Sequence, residues 1–280
     1  MPEATPLRDS GPAGIQQLAK LAYEQFGLDL RAGKEGLIQS RLGKAMREHG
    51  IDSLEEYCSF VRRDPSGQAL TQMIDALTTN HTSFFREVKH FEFLKQVAFP
   101  VWRQRKDVQI WSAACSSGEE PYSLAMTILE QWGTGAGDVR ILATDVSTRV
   151  LETAGKGLYR QESFPQPLPD RLKQYLLRGK HQFEGWYQIR PEVRRMIRFE
   201  QRNLVRPLGI QQKFAAIFCR NVMIYFDRPT QEDVVNRLAA CLEPGGYFFV
   251  GHSESLSGMK HSLEDVCPAT YRKPTARGLA

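Results

Sequence analysis

The N-terminal quarter of the chain repeats apolar positions at helical spacing. Four stretches place apolar side chains three or four positions apart: Ile15, Leu18, Leu21 and Ala22; Leu37, Ile38, Leu42, Ala45 and Met46; Leu54, Tyr57, Phe60 and Val61; and Leu70, Met73, Ile74 and Leu77. This period predicts four amphipathic helices, the third capped by Asp52. The sequence therefore predicts an all-helical N-terminal domain over residues 11–77, after a flexible tail at residues 1–10.

Beyond residue 90 the pattern changes to short apolar runs separated by helical stretches. Runs at 108–113, 139–145, 214–221 and 247–251 predict buried strands, and stretches at 119–132, 147–156 and 229–242 predict helices between them. This alternation is typical of an α/β domain with a parallel sheet. We assign that domain to residues 91–280, joined to the helical domain by a polar linker at 78–90.

The alternation lapses at about residues 157–202. Gly179 and Gly185 frame a turn, and residues 186–190 and 196–200 have the pattern of short antiparallel strands. We therefore predict a small antiparallel β-subdomain inserted into the α/β domain. Its exposed edge strand could receive an extended peptide by strand addition, or the insertion could be only a protective flap.

The first predicted strand leads into a turn of small residues, Ser116 to Gly118, and then into a helix. Small residues let a ligand approach the backbone, and the free amides of a helix start favour polar or anionic groups. The turn has a single glycine, and Glu119 and Glu120 would repel a pyrophosphate, so a sugar-bearing or cationic ligand fits better than a dinucleotide. Asp145 and Asn221 end two other predicted strands and should converge here with Gly118. Asp145 would hold ribose hydroxyls or, alternatively, would only be solvated.

Composition narrows the functional classes. The chain has 280 residues, of which 41% are hydrophobic, and a net charge of +5, which is too small for a protein that coats nucleic acid. Neither a bilayer-spanning apolar run nor a signal peptide is apparent, so we expect a cytoplasmic protein that is not inserted in a membrane. The five cysteines are scattered and contain no CxxC pair, so we expect neither a disulfide framework nor a metal site.

One helix carries a basic series. Arg41, Lys44 and Arg47 recur every three residues on the second predicted helix, away from its apolar stripe. From spacing alone this is either a solvated helix face or a docking surface for an acidic partner. The polar linker at 78–87 also allows two interpretations. It could serve a function, or its threonine and asparagine side chains could only form hydrogen bonds with the local backbone.

Several long motifs together resemble one family. They are Thr-Asn-His-Thr-Ser-Phe-Phe-Arg-Glu at 79–87, Trp-Ser-Ala-Ala-Cys-Ser-Ser-Gly-Glu-Glu-Pro-Tyr-Ser at 111–123, Ala-Thr-Asp at 143–145, Asn-Leu at 203–204 and Ile-Phe-Cys-Arg-Asn-Val-Met-Ile-Tyr-Phe-Asp at 217–227. In this order they are similar to the chemotaxis receptor methyltransferases, the CheR family, over residues 10–275. Cys115 and Ser117 depart from the pattern of the family, but both are small residues that do not conflict with cofactor binding.

The resemblance implies a class I S-adenosylmethionine-dependent methyltransferase, Rossmann-like in fold, that converts receptor glutamates to γ-methyl esters. It implies cofactor contacts from Asn80, Thr82, Arg86, Glu120, Asp145, Asn203, Leu204, Arg220 and Asn221. Arg86 and Tyr225 would orient the reacting groups as the catalytic residues. Arg41, Lys44 and Arg47 would bind the cytoplasmic helices of chemoreceptors, and the β-subdomain could bind a receptor C-terminal peptide. We expect a monomer.

Other classes fit less well. Gly251-His-Ser-Glu-Ser begins like a hydrolase nucleophile elbow but has Ser255 where that turn requires glycine. A nucleic-acid methyltransferase should show a stacking platform or long basic stripes, whereas this sequence has only one short basic series. A silent receptor-binding module should lack the cofactor motifs, which are all present here.

Overall fold

The computed structural model describes residues 12–30, 35–78, 81–133 and 139–275. The chain forms two compact units. The first comprises Met1–Asn80 with Tyr225–Thr230, and the second comprises His81–Ile224 with Gln231–Ala280. The predicted tail at residues 1–10 lies outside the described residues.

The first unit is helical, as the apolar period predicts. Its helices are α1 (Pro12–Phe26), α2 (Glu35–Glu48), α3 (Leu54–Arg63) and α4 (Gln68–Leu77). Helix α1 packs on α3 and α2 on α4, around buried residues that include Leu18, Leu42 and Tyr57. The predicted cap of α3 is wrong by one residue, because the Ser53 hydroxyl, not Asp52, accepts the Glu56 backbone amide at 3.2 Å.

The second unit is built on β-strands. They are β1 (Val108–Ala113), β2 (Val139–Asp145), β3 (Leu158–Arg160), β4 (Leu176–Arg178), β5 (Trp186–Ile189), β6 (Ile197–Gln201), β7 (Phe214–Cys219), β8 (Leu242–Phe249), β9 (Glu264–Cys267) and β10 (Thr270–Arg272). Seven of these strands form one sheet in the order β6-β2-β1-β7-β8-β10-β9. The five strands from β6 to β8 are parallel, and β10 and β9 continue the sheet in antiparallel pairing. The α/β prediction is therefore confirmed.

The second unit also contains seven α-helices among its described residues. They are α5 (Lys89–Phe93), which continues through a π-helical turn (Leu94–Ala98) into α6 (Phe99–Trp102), then α7 (Glu119–Trp132), α8 (Thr148–Lys156), α9 (Asp170–Lys173), α10 (Pro191–Arg194) and α11 (Arg228–Cys241). Strand β7 is buried at all six positions, which explains why it is apolar throughout rather than alternating. Trp111 on β1 is fully buried and satisfies its indole N–H by donating to Thr144 Oγ1 at 2.9 Å.

The inserted region differs from its prediction in one respect. A three-stranded antiparallel sheet, β3-β5-β4, is present, but residues 196–200 do not belong to it. That segment is β6, which pairs in parallel with β2 from Ile141 opposite Ile197 to Asp145 opposite Gln201. Alternating side chains predict a strand but do not identify its partner, since pairing is a long-range choice. None of the described helices is both long and apolar enough to cross a membrane.

Candidate active site

Strand register brings four chain segments to one edge of the main sheet. Ala113 at the end of β1 lies opposite both Thr144 on β2 and Cys219 on β7, and Asp145 lies opposite Gln201 on β6. Because these strands are parallel, the residues that follow each of them emerge at the same carboxyl edge. The segments beginning at 114, 145, 202 and 220 thus line a common site within the second unit.

The turn after β1 holds a strained backbone. Ala114 and Ser116 have φ values of 68° and 49°, in the left-handed region that side chains disfavour, and Gly118 has φ 97°. A Cβ atom at Gly118 would also lie 2.8 Å from the Ala154 Cβ and 2.9 Å from the Tyr159 hydroxyl. Only glycine satisfies both constraints, so the single glycine of the motif fixes how tightly the turn approaches α8.

Asp145 ties this turn to the start of the next helix. Its carboxylate accepts the Ser116 amide at 2.8 Å and the Ser147 amide at 3.0 Å, and its side chain is largely buried. Two backbone amide donors hold the carboxylate in a fixed orientation. The predicted ribose-binding residue is therefore a preorganised acceptor rather than a solvated strand end.

Arg220 lies at the centre of the site between two carboxylates. Its Nη1 donates to Glu120 at 2.8 Å, and its Nη2 donates to Glu87 at 2.9 Å and to the Arg86 carbonyl at 2.6 Å. The Arg220 side chain is only 2% exposed, and Glu120 also accepts the Ser112 hydroxyl at 2.7 Å. Burial alone would raise the pKa of Glu87, but the Arg220 guanidinium holds it below its usual value.

Asn221 adopts a left-handed backbone conformation that the Glu254 carboxylate supports. Its φ is 57°, and its backbone amide donates to Glu254 Oε2 at 2.8 Å. Glu254 also accepts the amides of Met223 at 2.8 Å and Gly251 at 2.7 Å. Burial raises the pKa of Glu254 despite these donors. The carboxylate thus clamps the loop after β7, which orients Asn221.

The sequence does not identify Glu87 or Glu254 as site residues. Glu254 belongs to the Gly-His-Ser-Glu segment, which resembles only a hydrolase motif, and Glu87 closes the linker motif. An acid next to a predicted site residue gives a weak signal, because many such acids are solvated. Burial reveals their role: Glu87 is 13% exposed at its side chain, and Glu254 is 8% exposed.

The linker binds the sheet edge through its backbone. The Phe85 amide donates to the Ser123 hydroxyl at 2.9 Å, and the Arg86 carbonyl accepts from Arg220. The Arg86 side chain is half-buried and donates to the His81 carbonyl at 2.9 Å, and Thr82 is half-buried. Asn80, another predicted contact, lies outside the described residues.

The segment after β6 reaches the same edge. The Arg202 amide donates to the Asp145 carbonyl at 2.9 Å, which places Asn203 and Leu204 beside the end of β2. Asn203 Oδ1 accepts the Val205 amide at 3.1 Å, and Leu204 is buried. An apolar side chain next to an amide group suits the face and edge of a heteroaromatic base.

The remaining predicted residues belong to the first unit. The Tyr225 carbonyl accepts the Asp29 amide at 2.9 Å, and its segment is fixed there by a hydrogen bond of 3.0 Å from Tyr23 to Asp227. On α2, Lys44 and Arg47 are exposed. Arg41 differs, because it is half-buried and donates to the Leu77 carbonyl at the end of α4 at 2.6 Å. The basic series therefore has two exposed cations and one that also connects helices.

The site in the second unit thus presents oriented carboxylates, turns with left-handed backbone conformations and a buried cation along one edge of the sheet. Acceptors of this kind suit hydroxyl and ammonium groups, and the acids disfavour phosphates. These acceptors fit a nucleoside with a charged amino-acid end, because Asp145 can accept from ribose and the acids around Arg220 can accept from an amine.

Two protein-family models together match most of the chain. Residues 80–272 match the family model described as CheR methyltransferase, SAM binding domain, and residues 13–78 match the model described as CheR methyltransferase, all-alpha domain.

Curated relatives from several bacteria are similar to this chain along most of their length. The chain is 39% identical over 259 residues to the chemotaxis protein methyltransferase of Klebsiella aerogenes, covering 92% of this chain and 87% of that protein. It is 40% identical over 261 residues to chemotaxis protein methyltransferase 2 of Pseudomonas aeruginosa, with 92% and 91% covered. The chemotaxis protein methyltransferase of Borreliella burgdorferi is 37% identical over 268 residues, with 92% and 93% covered.

Proposed function

The chain belongs to the CheR methyltransferase family, and we propose that it transfers the methyl group of S-adenosylmethionine to glutamate γ-carboxylates of chemoreceptors. The products are glutamate methyl esters on the cytoplasmic receptor helices, together with S-adenosylhomocysteine. This reaction serves adaptation in chemotaxis, the process for which the relatives are named. We propose a cytoplasmic, monomeric enzyme.

The observation that carries this proposal is the convergence of four strand ends on Asp145 and the Arg220 network. Asp145 would accept from the ribose hydroxyls, while Asn203 and Leu204 would flank the adenine. Glu120, Arg220 and Asn221 would form the polar wall of the pocket. Asn80, Thr82 and Arg86 would contact the amino-acid end from the linker.

The chemistry requires orientation more than proton transfer. The cofactor supplies a methyl group already activated by its sulfonium. A glutamate with an ordinary pKa near 4.3 is already ionised at neutral pH, so the enzyme needs no general base. Holding the two groups in line and excluding water can lower a barrier by roughly 7 to 11 kcal/mol in ideal cases. Arg86 and Tyr225 are the proposed orienting groups.

We further propose that Arg41, Lys44 and Arg47 dock receptor helices. Lys44 and Arg47 are the exposed cations, and glutamate-bearing helices present the complementary charge. Arg41 would contribute less, since its guanidinium also bonds the Leu77 carbonyl.

The β-subdomain is proposed as a second receptor contact. In the order β3-β5-β4, strand β4 is an edge strand, with Leu177 and Arg178 exposed. An extended receptor C-terminal peptide could pair with such an edge by strand addition.

The function is tested by transfer of tritiated methyl groups to receptor-containing membranes, with RNA as the alternative acceptor. We expect base-labile label on receptors, as a methyl ester requires, and none on RNA. Label on RNA alone would overturn the proposal. A receptor tail peptide titrated by calorimetry tests the β-subdomain separately.

A further inference from the structure

Three potential metal ligands meet beside the Arg220 network, within the second unit. They are the Glu87 carboxylate, the His90 imidazole and the His252 imidazole, whose ligand atoms all lie within 4.8 Å of one another. His90 is on α5, and His252 follows β8, so residues 162 positions apart in sequence converge here. We propose that Glu87, His90 and His252 bind a divalent transition-metal ion of the zinc type.

His90 supplies an observation that points to a ligand. It is 1% exposed, yet neither of its ring nitrogens has a hydrogen-bond partner among the described residues. Buried polar atoms normally have a hydrogen-bond partner, and a buried imidazole with two unsatisfied nitrogens is unfavourable. A metal ion would satisfy one of them.

The chemistry of the three side chains suits coordination. Each residue offers one ligand atom of a kind that transition metals accept, an imidazole nitrogen from His90 and from His252 and a carboxylate oxygen from Glu87.

The distances are close to those of a coordinated ion. Zinc lies about 2.1 Å from nitrogen or oxygen ligands, so two ligand atoms on a tetrahedral ion are roughly 3.3 Å apart. His90 Nδ1 and Glu87 Oε2 are already 3.7 Å apart. His252 stands farther away, with its ring centroid 5.0 Å from that of His90, but its side chain is exposed and can rotate inward.

The local charge also permits a cation. Arg220 is positive, but it lies between Glu87 and Glu120, so the three groups together carry one negative charge. Glu87 Oε2 accepts from Arg220 through a short bond of 2.9 Å and a long one of 3.3 Å. An ion could replace the longer of these bonds while Arg220 keeps the shorter.

The ligand types define the class of ion. Two imidazoles and one carboxylate favour Zn²⁺, Co²⁺, Ni²⁺ or Cu²⁺ over Mg²⁺ or Ca²⁺, which prefer oxygen. The absence of a CxxC pair predicted no zinc site, but cysteine spacing gives no information about a cluster of this composition. Because no acceptor orients the second nitrogen of His90, we expect binding on the order of micromolar rather than the tighter binding of structural zinc sites.

The test is titration of the full chain with Co²⁺, followed by its visible absorption, and with Zn²⁺ in competition with a chromophoric chelator. All proteins carry Cys267→Ser, because the exposed thiol of Cys267 would bind these ions. The expected result is one ion per chain. His252→Ala should weaken binding at least tenfold, whereas His181→Ala, which removes an exposed histidine elsewhere in the second unit, should change it less than twofold.

Folding does not confound this comparison. The bond from His252 to Glu87 Oε1 comes from the backbone amide, at 3.1 Å, and is retained by alanine. A second variant, His252→Cys, should restore binding and add a thiolate-to-cobalt charge-transfer band in the near ultraviolet. No stoichiometric binding, equal binding by His252→Ala, or no charge-transfer band from bound Co²⁺ in His252→Cys would each overturn the proposal.

Discussion

The sheet-edge site and the basic face of α2 use charge in opposite ways. The Arg220 side chain is 2% exposed and lies between two carboxylates, whereas the Lys44 side chain is 83% exposed with Glu48 3.9 Å away. A buried charge that loses its partners is costly, while an exposed pair is screened by water and salt. Substitutions should therefore have large effects on structure and cofactor binding at the first region and small, salt-dependent effects at the second.

The largest effect is expected from Arg220→Ala. This change leaves Glu87 and Glu120 buried without their shared cation, which typically costs about 3 to 5 kcal/mol. Chemical denaturation should show that loss in the free energy of unfolding. The matched control is Arg103→Ala, at an exposed arginine of the same unit, which should stay within about 0.5 kcal/mol of the parent. If both variants are equally stable, the network contributes nothing to stability.

The second largest effect is expected from Asp145→Ala, on the affinity for the cofactor. It removes an acceptor that the Ser116 and Ser147 amides hold in place, so S-adenosylmethionine binding should weaken by about 1 to 3 kcal/mol. Calorimetry measures this directly. Asp145→Asn replaces one of the two accepting oxygens with an NH2 group that faces a backbone amide donor, so it should weaken binding as well. Unchanged affinity in the alanine variant would remove Asp145 from the cofactor site.

Arg86→Ala separates orientation from folding. The Arg86 side chain is half-buried and donates to the His81 carbonyl at 2.9 Å, so its removal should alter thermal stability little. Loss of alignment at the methyl centre should lower turnover about 10- to 100-fold, since small misplacements of reacting groups have effects of this size. Single-turnover methylation and the melting temperature should be measured on the same preparation. A full methylation rate would refute the orienting role.

The sequence was informative where local pattern determines structure and uninformative where distant segments choose partners. Apolar runs located β1, β2 and β7, and their polar ends correctly identified the edge that holds Asp145 and Asn221. The same reasoning placed β6 in the wrong sheet, because side-chain alternation carries no information about which strand lies alongside. It did not predict β9 and β10, because these strands are only four and three residues long and β9 is exposed at every position.

The buried acids of the site could likewise not be predicted from local sequence pattern. Glu254 and Glu87 become important only because the fold surrounds them with backbone amides and Arg220. The motif order supplied Glu120 and Arg220 through family resemblance, whereas their mutual contact is a property of the fold. Residue type alone cannot distinguish such an acid from a solvated one.

The smallest effect is expected from the basic face of α2. Lys44 and Arg47 are exposed, so each contact with a receptor carboxylate should contribute only about 0.2 to 1 kcal/mol and should be screened over roughly 8 Å at physiological salt. The double variant Lys44→Ala/Arg47→Ala should therefore methylate receptors several-fold more slowly at low salt. The deficit should shrink as salt rises, and S-adenosylmethionine affinity should not change.

The control for this last experiment removes the same charge from another helix of the first unit. Arg62 and Arg63 are exposed in the last turn of α3, so Arg62→Ala/Arg63→Ala matches the change in net charge. Arg41 is left intact in both variants, because its bond to the Leu77 carbonyl would mix a stability effect with a docking effect. If the two double variants slow methylation equally, only net charge matters, and receptor recognition by α2 is excluded. A loss confined to Lys44 and Arg47 would locate docking on that face, since the two variants differ in the position of the charge and not in its amount.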